Sequence, residues 1–378
     1  MTESTQTLKE ESEPPDPDII WREILRKSII LPKKISKIFG LNENKIQEVC
    51  KIYPMRVNPY YLSLIKNLDD ATYKQCIPSI EEIKDSFGEE DPLREEPENQ
   101  MRAGVPSLIT HRYPDRVLFR ISNTCAMYCR FCTRKRKVGD INKNPTWKDV
   151  AKAVRYIEVH SEIRDVILSG GDPLVLCDEV LEKIISRVYS IISKRENGII
   201  RIGTRIPCVL PHRITPKLCE MLKKYNPIYI NTHFNHPDEI TPESRRACKM
   251  LADAGIPLGC QTVLLKGVND SPEVMKKLMQ GLVSMRVRPY YIYQCDPVKG
   301  ANHFRTRVEK GLEIYKALRG WTSGLCVPHY VIDAPEGGGK VPLIPEYIQF
   351  IDGNKVVMKN YCGNIHEYPQ VEELSENL

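Results

Sequence analysis

Short apolar runs alternate with longer amphipathic segments through the middle of the chain. The runs typical of β-strands occupy 116–122, 164–171, 199–205, 227–234, 256–265 and 288–296. Between them, segments such as WKDVAKAVRYIEV and TPESRRACKMLADAG carry apolar residues at helical spacing. Six such strand–helix units predict a parallel sheet with right-handed crossovers. The expected fold is therefore α/β, a partial (β/α)6 barrel rather than a closed eightfold one.

The pattern changes on both sides of this region and divides the chain into four segments. Residues 1–18 are polar and acidic and predict a disordered tail. Residues 19–105 show helical periodicity broken by prolines and end in a charged stretch, 86–104, which we expect to cross the surface as a linker. The core barrel is expected at 106–322. Residues 323–378 form a C-terminal segment that contains a further extended run and the sequence EGGGK.

Composition and charge are those of an ordinary globular protein, with 41% hydrophobic residues, 28% charged residues and a net charge of +6. No long block of Lys and Arg is present, so nucleic-acid binding is not expected. The sequence contains neither an apolar run long enough for a transmembrane helix nor a signal-peptide pattern. Thirteen cysteines without a secretion signal indicate a reducing cytoplasm, where thiols stay free to bind metal.

Three cysteines in the sequence CAMYCRFC form the most specific chemical pattern. Cys125, Cys129 and Cys132 lie within eight residues, between the first predicted strand and a basic stretch. A structural zinc site normally uses four Cys or His ligands. A cubane iron–sulfur cluster has four irons, so three cysteines leave one iron open to another ligand. The spacing favours a [4Fe–4S] cluster, with zinc or simple core packing as the alternatives.

Polar clusters follow most of the predicted strands. They are SGGDP at 169–173, TRIP at 204–207, THFNH at 232–236, the single residue Gln261, and YQCD at 293–296. The carboxyl ends of parallel strands meet on one rim, so these residues predict one shared active site. In SGGDP, the bare backbone of Gly170 and Gly171 lets a ligand approach closely and offers carbonyls to an ammonium. A plain strand-to-helix turn is the alternative for this segment.

The C-x3-C-x2-C spacing, with Phe131 before the third cysteine and SGGDP after the next strand, resembles the radical S-adenosylmethionine (SAM) superfamily. Longer segments are similar to the lysine 2,3-aminomutase family within it: LITHRYPDRVL, CAMYCRFCTRKR, ILSGGDPL, NTHFNHPDEIT and DAPEGGGKVP. The similarity extends from about residue 20 to about residue 368. It implies three cofactors: a [4Fe–4S] cluster, SAM and pyridoxal 5′-phosphate (PLP).

The resemblance also implies roles for individual residues. The cluster would be held by Cys125, Cys129 and Cys132, and SAM would contact Ser169, Gly170, Gly171, Asp172, His233 and Gln261. PLP would bind covalently to the catalytic Lys340 and contact Arg112, Tyr113, Arg116 and Tyr290. The substrate would contact Arg134, Asp296 and Asp333. Taken singly, these residues have plainer explanations, such as a buried histidine, a salt-bridged turn or a capped loop.

Some of these assignments carry a chemical prediction. The three glycines before Lys340 predict a mobile segment that lets its amine move. The planar guanidinium of Arg134 suits a substrate carboxylate. Asp296 and Asp333 together suit a substrate with a distant second ammonium, because a buried ammonium needs a partner. A glutamate-specific enzyme would instead carry a cation or a neutral donor at these positions.

The function that the resemblance implies is an isomerase reaction: 2,3-amino migration, by radical chemistry, between L-lysine and L-β-lysine. The alternatives are the same chemistry on arginine, ornithine, glutamate or a protein-borne lysine, and, in another class, an iron–sulfur electron-transfer protein. The expected partners are an amino acid, a reductant such as flavodoxin or ferredoxin, and further copies of the chain, but neither nucleic acid nor a membrane. Clostridial members of the family carry a cysteine-rich C-terminal segment that binds zinc. Here only Cys362 follows Lys340, so the resemblance leaves open whether this protein binds zinc.

Overall fold

The structure is a computed structural model that describes residues 16–84, 86–96, 100, 102–352 and 354–370. Residues 1–15 of the predicted tail lie outside the described residues. The N-terminal helices of the described chain are α1 (Pro17–Arg26), α2 (Pro32–Phe39), α3 (Glu43–Ile52), α4 (Pro59–Leu62), α5 (Ala71–Cys76) and α6 (Glu81–Lys84). A proline occupies the first position of α1, α2 and α4, and Asn42, Asn58 and Asp70 cap α3, α4 and α5. The predicted N-terminal helical region is confirmed.

The central sheet of the described chain contains nine strands in the order β1 to β9. They are β1 (Ile109–Tyr113), β2 (Arg116–Ser122), β3 (Asp165–Gly170), β4 (Ile199–Gly203), β5 (Ile228–Thr232), β6 (Leu258–Leu264), β7 (Arg288–Gln294), β8 (His329–Ala334) and β9 (Gly339–Pro342). Strands β2 to β8 are parallel, and β1 and β9 are antiparallel strands at the two edges. The six predicted strands are confirmed as β2 to β7, and the extended C-terminal run adds β8 as a seventh parallel strand.

Helices connect the parallel strands and cover their outer face. They are α7 (Trp147–Val159), α8 (Asp178–Ile192), α9 (Ile206–Val209), α10 (Pro216–Lys223), α11 (Pro242–Asp253), α12 (Pro272–Ser284) and α13 (Val308–Leu318). Thr215, Thr241 and Ser271 cap α10, α11 and α12, each of which begins with proline. This alternation confirms the predicted α/β partial barrel.

Alternate residues along a strand point to opposite faces of the sheet. On β3, Val166 and Leu168 are fully buried in the main hydrophobic core, whereas Ile167 and Ser169 line a cavity of about 540 Å³ inside the barrel. The strands therefore supply the core on one face and the walls of the cavity on the other.

A separate three-stranded antiparallel sheet follows the barrel in the described chain. Its strands are β10 (Ile348–Ile351), β11 (Lys355–Lys359) and β12 (Ile365–Pro369). Most of its side chains are exposed. No helix in the described ranges combines the length and apolar character needed to span a bilayer.

Candidate active site

Every residue to which the sequence assigned a role lines the same cavity. Those assigned to the cluster, SAM, PLP and the substrate are Cys125, Cys129, Cys132, Ser169, Gly170, Gly171, Asp172, His233, Gln261, Lys340, Arg112, Tyr113, Arg116, Tyr290, Arg134, Asp296 and Asp333. These side chains therefore lie together, as expected for residues at the carboxyl ends of neighbouring parallel strands.

The cysteine loop follows β2 and is held by the N-terminal helical region. Arg56 donates through Nη1 to the carbonyl of Cys125 at 3.2 Å, and its own carbonyl accepts from the backbone N–H of Tyr128 at 3.0 Å. Asn58 donates through Nδ2 to the carbonyl of Ala126 at 3.2 Å. Arg56 and Asn58 therefore fix the backbone on which the thiols are mounted.

The three thiols are half-buried, and two of them accept hydrogen bonds from arginine residues. Cys129 Sγ accepts from Nη1 of Arg205 at 2.8 Å, and Cys132 Sγ accepts from the backbone N–H of Arg134 at 3.4 Å. Burial raises the pKa of Cys125 and of Cys132, so these thiols need a strong cation to become thiolates. In the described residues, no three His, Cys, Asp or Glu side chains converge on one metal ion. Ligands of a cubane cluster bind different irons, so this donor set fits a cluster better than zinc.

Gly170 and Gly171 pack against the start of the cysteine loop. Gly170 has φ +127°, and a Cβ there would lie 2.2 Å from the carbonyl oxygen of Ser122. A Cβ on Gly171 would lie 2.4 Å from the carbonyl oxygen of Thr124. Glycine is required here because two backbone segments meet without room for a side chain. The carbonyl of Gly170 also accepts from Nη1 of Arg134 at 3.3 Å.

Asp172 is buried, and both oxygens of its carboxylate accept hydrogen bonds, mainly from residues that follow β4. Its Oδ1 accepts from the Thr204 hydroxyl at 2.6 Å and from the N–H of Leu174 at 3.0 Å, and its Oδ2 accepts from the N–H of Arg205 at 2.8 Å. Burial raises the pKa of this carboxyl, while these donors act in the opposite direction. The side chain therefore joins the ends of β3 and β4.

His233 packs against the cysteine loop and is a neutral hydrogen-bond acceptor. Its ring stacks on Phe131 with centroids 5.6 Å apart, and its Nε2 donates to Asn235 Oδ1 at 3.0 Å. Burial, with a smaller effect from Arg205, lowers the pKa of His233 to about 3. The neutral ring with its proton on Nε2 presents Nδ1 as a hydrogen-bond acceptor.

Lys340 and Asp333 face each other across β8 and β9. They form a registered pair of the two strands, and Lys340 Nζ lies 3.2 Å from Asp333 Oδ2. Nη1 of Arg112 donates to Asp333 Oδ1 at 3.1 Å, and the backbone N–H of Lys340 donates to the Tyr113 hydroxyl at 3.1 Å. Lys340 itself lies on strand β9, and the mobility of its glycine segment stays a prediction. The preceding hairpin requires glycine because Gly337 has φ +79°.

Asp296 follows β7 and lies in the acidic part of the cavity with Asp333. Burial, and then the charge of Asp333, raise the pKa of Asp296 to about 7, although Lys340 acts against this shift. The carboxyl of Asp296 is therefore close to balance between its charged and neutral forms at neutral pH.

Arg134 is paired with a carboxylate that the sequence patterns did not identify. Glu95 accepts from Nε of Arg134 at 2.7 Å and from Nη2 at 2.6 Å, a bidentate pair in which Glu95 is buried. The neighbouring guanidinium keeps the pKa of Glu95 at about 2 despite burial, which opposes this shift. Glu95 belongs to the stretch expected to be a surface linker, and that expectation is wrong for this residue. Only its acidic character was a signal.

Two family models match the chain. The radical SAM superfamily model matches residues 119–279, which include the three cysteines and the glycine turn. The lysine-2,3-aminomutase model matches residues 315–377, which include Lys340. The barrel, the cysteine loop and these matches define the class: a radical SAM protein.

Curated relatives cover most of the chain. L-lysine 2,3-aminomutase from Methanococcus maripaludis is 54% identical over 86% of this chain and 74% of its own length. The enzyme of the same name from Acetoanaerobium sticklandii is 49% identical over 93% and 84%. Glutamate 2,3-aminomutase from Clostridioides difficile is 44% identical over 88% and 78%. The chain belongs to the lysine 2,3-aminomutase family and is an isomerase of the aminomutase class, which confirms the resemblance.

Proposed function

We propose that this protein interconverts L-lysine and L-β-lysine by 2,3-amino migration. The observation that carries the proposal is the presence of two carboxylates, Asp296 and Asp333, in the same cavity as Lys340 and the guanidinium of Arg134. A substrate with one carboxylate and a second, distant ammonium matches this charge pattern.

The residues around the cysteine loop support the first two cofactors. Cys125, Cys129 and Cys132 would hold a [4Fe–4S] cluster. The close-packed turn at 169–172, the neutral His233 and Gln261 would hold SAM beside it. When bound, the cluster and SAM supply the one-electron chemistry that removes a hydrogen atom from the substrate.

Lys340 and two arginines support PLP as the third cofactor. Lys340 is an amine held within the cavity, and Arg112 and Arg116 place two guanidinium groups on the same wall. Arg112 uses Nη1 for Asp333 and Nη2 for the carbonyl of Leu93, so three of its five N–H donors remain for a phosphate. When bound, PLP supplies the carbonyl carbon that holds the migrating nitrogen.

Arg134 and the two aspartates would orient the substrate. Glu95 and Gly170 take three of the five N–H donors of Arg134, which leaves one on Nη1 and one on Nη2 for a carboxylate. If PLP engaged the Lys340 amine, that amine would be withdrawn from Asp333, and the carboxylate would be available to the second ammonium of lysine. The remaining contact of Asp333 with Arg112 keeps it in place.

Glutamate is the second candidate substrate because a curated relative that is 44% identical is named as a glutamate enzyme. Its side-chain carboxylate would lie beside Asp296 and Asp333, and like charges in a partly buried site repel. The charge pattern therefore favours lysine, with arginine and ornithine as weaker cationic candidates.

The proposal also includes two kinds of protein partner. A reductant protein such as flavodoxin or ferredoxin would supply the electron, and copies of the chain would assemble into a homo-oligomer.

An anaerobic assay tests this function. The purified protein is supplied with iron, sulfide, PLP, SAM and a reductant, and is then given L-lysine, L-arginine, L-ornithine or L-glutamate in separate reactions. We expect β-lysine to form from L-lysine, as detected by NMR, and little product from the others. Equal turnover of L-glutamate and L-lysine would contradict the proposal, as would a failure to convert L-lysine while another amino acid reacts.

A further inference from the structure

A buried arginine contacts one of the three cluster cysteines. Arg205 lies just after β4, and its Nη1 donates to Cys129 Sγ at 2.8 Å. Its Nη2 donates to Gln75 Oε1 at 2.6 Å and to Glu239 Oε1 at 2.8 Å. The Nε atom is buried and has no hydrogen-bond partner among the described residues. The side chain therefore donates one N–H to a thiol, and its Nε–H has no partner in the described chain.

The orientation of Arg205 is fixed by groups that do not depend on any bound cofactor. Its guanidinium lies 5.3 Å from the ring centroid of Phe131 and 5.8 Å from that of Tyr61. Its backbone N–H donates to Asp172 at 2.8 Å. An arginine guanidinium is not deprotonated in proteins, so the group is charged. The N–H that faces Cys129 is therefore preorganised.

We propose that Arg205 raises the reduction potential of the iron–sulfur cluster by donating a charge-assisted hydrogen bond to the Cys129 thiolate. Reduction by one electron adds negative charge to the cluster, and part of that charge resides on the cysteine sulfurs. A cationic donor stabilises the reduced form more than the oxidised form, and hydrogen bonds to cluster sulfurs are a known determinant of potential. Arg205 is thus a positioning residue: it acts on electron transfer through Cys129 and does not contact the substrate.

The plainer explanation is that Arg205 serves only to neutralise Glu239. The other contacts of Glu239 distinguish this role from that of a donor to Cys129. Its carboxylate also accepts from the Tyr61 hydroxyl at 2.7 Å, from Gln75 at 3.0 Å, and from the backbone N–H groups of Asn235 and His236 at 2.6 Å and 3.0 Å. Glu239 is therefore well supplied with donors without Arg205, whereas Cys129 would lose its cationic donor.

Potentiometric titration of the reconstituted protein, without SAM or substrate and followed by EPR of the reduced cluster, tests the proposal. In Arg205→Lys the positive charge is retained but the forked donor is lost, so we expect a more negative midpoint potential. In Arg205→Gln both are lost, and the potential should fall further. Iron and sulfide content should match the unmodified protein. An unchanged potential in Arg205→Gln with an intact cluster would overturn the proposal.

Arg213→Lys is the matched control. Arg213 is also buried and pairs with Asp178 at 2.6 Å, and it donates to the carbonyls of Leu174 and Leu176 rather than to a thiol. Its substitution should leave the potential unchanged. A fall as large as that in Arg205→Lys would mean that any lost buried arginine has this effect, and would overturn the proposal.

A second measurement applies if the Arg205 variants do not hold a cluster. Protein grown on arginine labelled with ¹⁵N only in the guanidinium is examined by pulsed EPR of the reduced cluster. A background with both Arg56→Lys and Arg134→Lys removes two other guanidinium groups that lie near the thiols. We expect a coupled ¹⁵N nucleus, and its absence would overturn the proposal. Neither measurement includes an amino acid, so a wrong substrate assignment would leave both results unaffected.

Discussion

The amine of Lys340 and the carboxylate of Asp333 lie opposite each other on neighbouring antiparallel strands, with Nζ 3.2 Å from Oδ2. Arg112 reaches the same carboxylate from the other edge of the sheet at 3.1 Å. The buried carboxylate of Asp333 therefore links Lys340 on β9, at one edge of the sheet, to Arg112 on β1, at the other edge.

Lys340 should be the lysine that PLP labels. Borohydride reduction of the PLP-loaded protein followed by peptide mapping should place the pyridoxyl group on Lys340. Lys340→Arg should prevent labelling while preserving the fold, because a guanidinium can still pair with Asp333. Lys135 is a suitable comparison, since it is buried and pairs with Glu82 rather than with Asp333. A label on any lysine other than Lys340 would exclude the assignment.

Asp333→Asn should weaken the binding of L-lysine. Loss of one charged hydrogen bond in a buried site costs about 1.5–3 kcal/mol, so KM should rise about 10- to 150-fold. Cluster content should be unaffected, because Asp333 lies on β8 and the cysteines follow β2. Steady-state kinetics with L-lysine would measure the change. A fall in kcat at unchanged KM would instead indicate that Asp333 acts on the chemical step.

The activity should decrease below neutral pH because of Asp296. Its pKa is raised to about 7, above its ordinary value, so the carboxyl becomes neutral as the pH falls through that value. A neutral Asp296 no longer attracts the second ammonium, and kcat/KM for L-lysine should fall about tenfold between about pH 8 and pH 6. Asp296→Asn should have a lower kcat/KM that no longer changes over this range. A variant that keeps the acid limb would show that another group titrates.

Substitution of Cys125, Cys129 or Cys132 by alanine should remove most of the cluster iron and abolish SAM cleavage. Cys177→Ala is the control, since Cys177 is also a half-buried free thiol but is absent from the cavity lining. Iron and sulfide analysis with an assay for 5′-deoxyadenosine measures both effects. Normal SAM cleavage by any one of the three variants would remove that cysteine from the ligand set.

Gly170→Ala should destabilise the protein and disturb the cysteine loop. The φ of +127° and the 2.2 Å approach to Ser122 both oppose a side chain, and strain with a backbone clash costs about 3 kcal/mol or more. Gly324→Ala is the control, because an added Cβ there meets no atom within 4 Å. Chemical denaturation would measure both free energies of unfolding. Equal stability of the two variants would show that the backbone at Gly170 adapts.

The barrel could be predicted because its signals are local. The alternation of apolar runs such as 199–205 with amphipathic helices follows from the geometry of strands and helices, and the polar rim follows from their parallel order. That parallel order by itself predicts that Gln261 and Asp296 share a rim with the cysteines, and all of them line the cavity. Residue type and position relative to a strand end were sufficient for these side chains.

Glu95 and Arg205 could not be assigned because their roles depend on contacts between distant segments. Glu95 meets Arg134, which lies 39 positions further along the chain, and Arg205 meets Cys129, which lies 76 positions before it. No local periodicity encodes such pairs. The strand position of Lys340 has the same origin, because it depends on pairing with β8 and not on the glycines that precede it.

The N-terminal contacts to the cysteine loop have a consequence for synthesis. Arg56 and Asn58, which hold the backbone of Cys125 and Ala126, precede those residues in the chain. A ribosome releases the N-terminal part first, so the groups that shape the loop emerge before the thiols do. Arg56 and Asn58 are thus available when the cysteine loop emerges, and the loop can form its contacts with them before the rest of the barrel is translated.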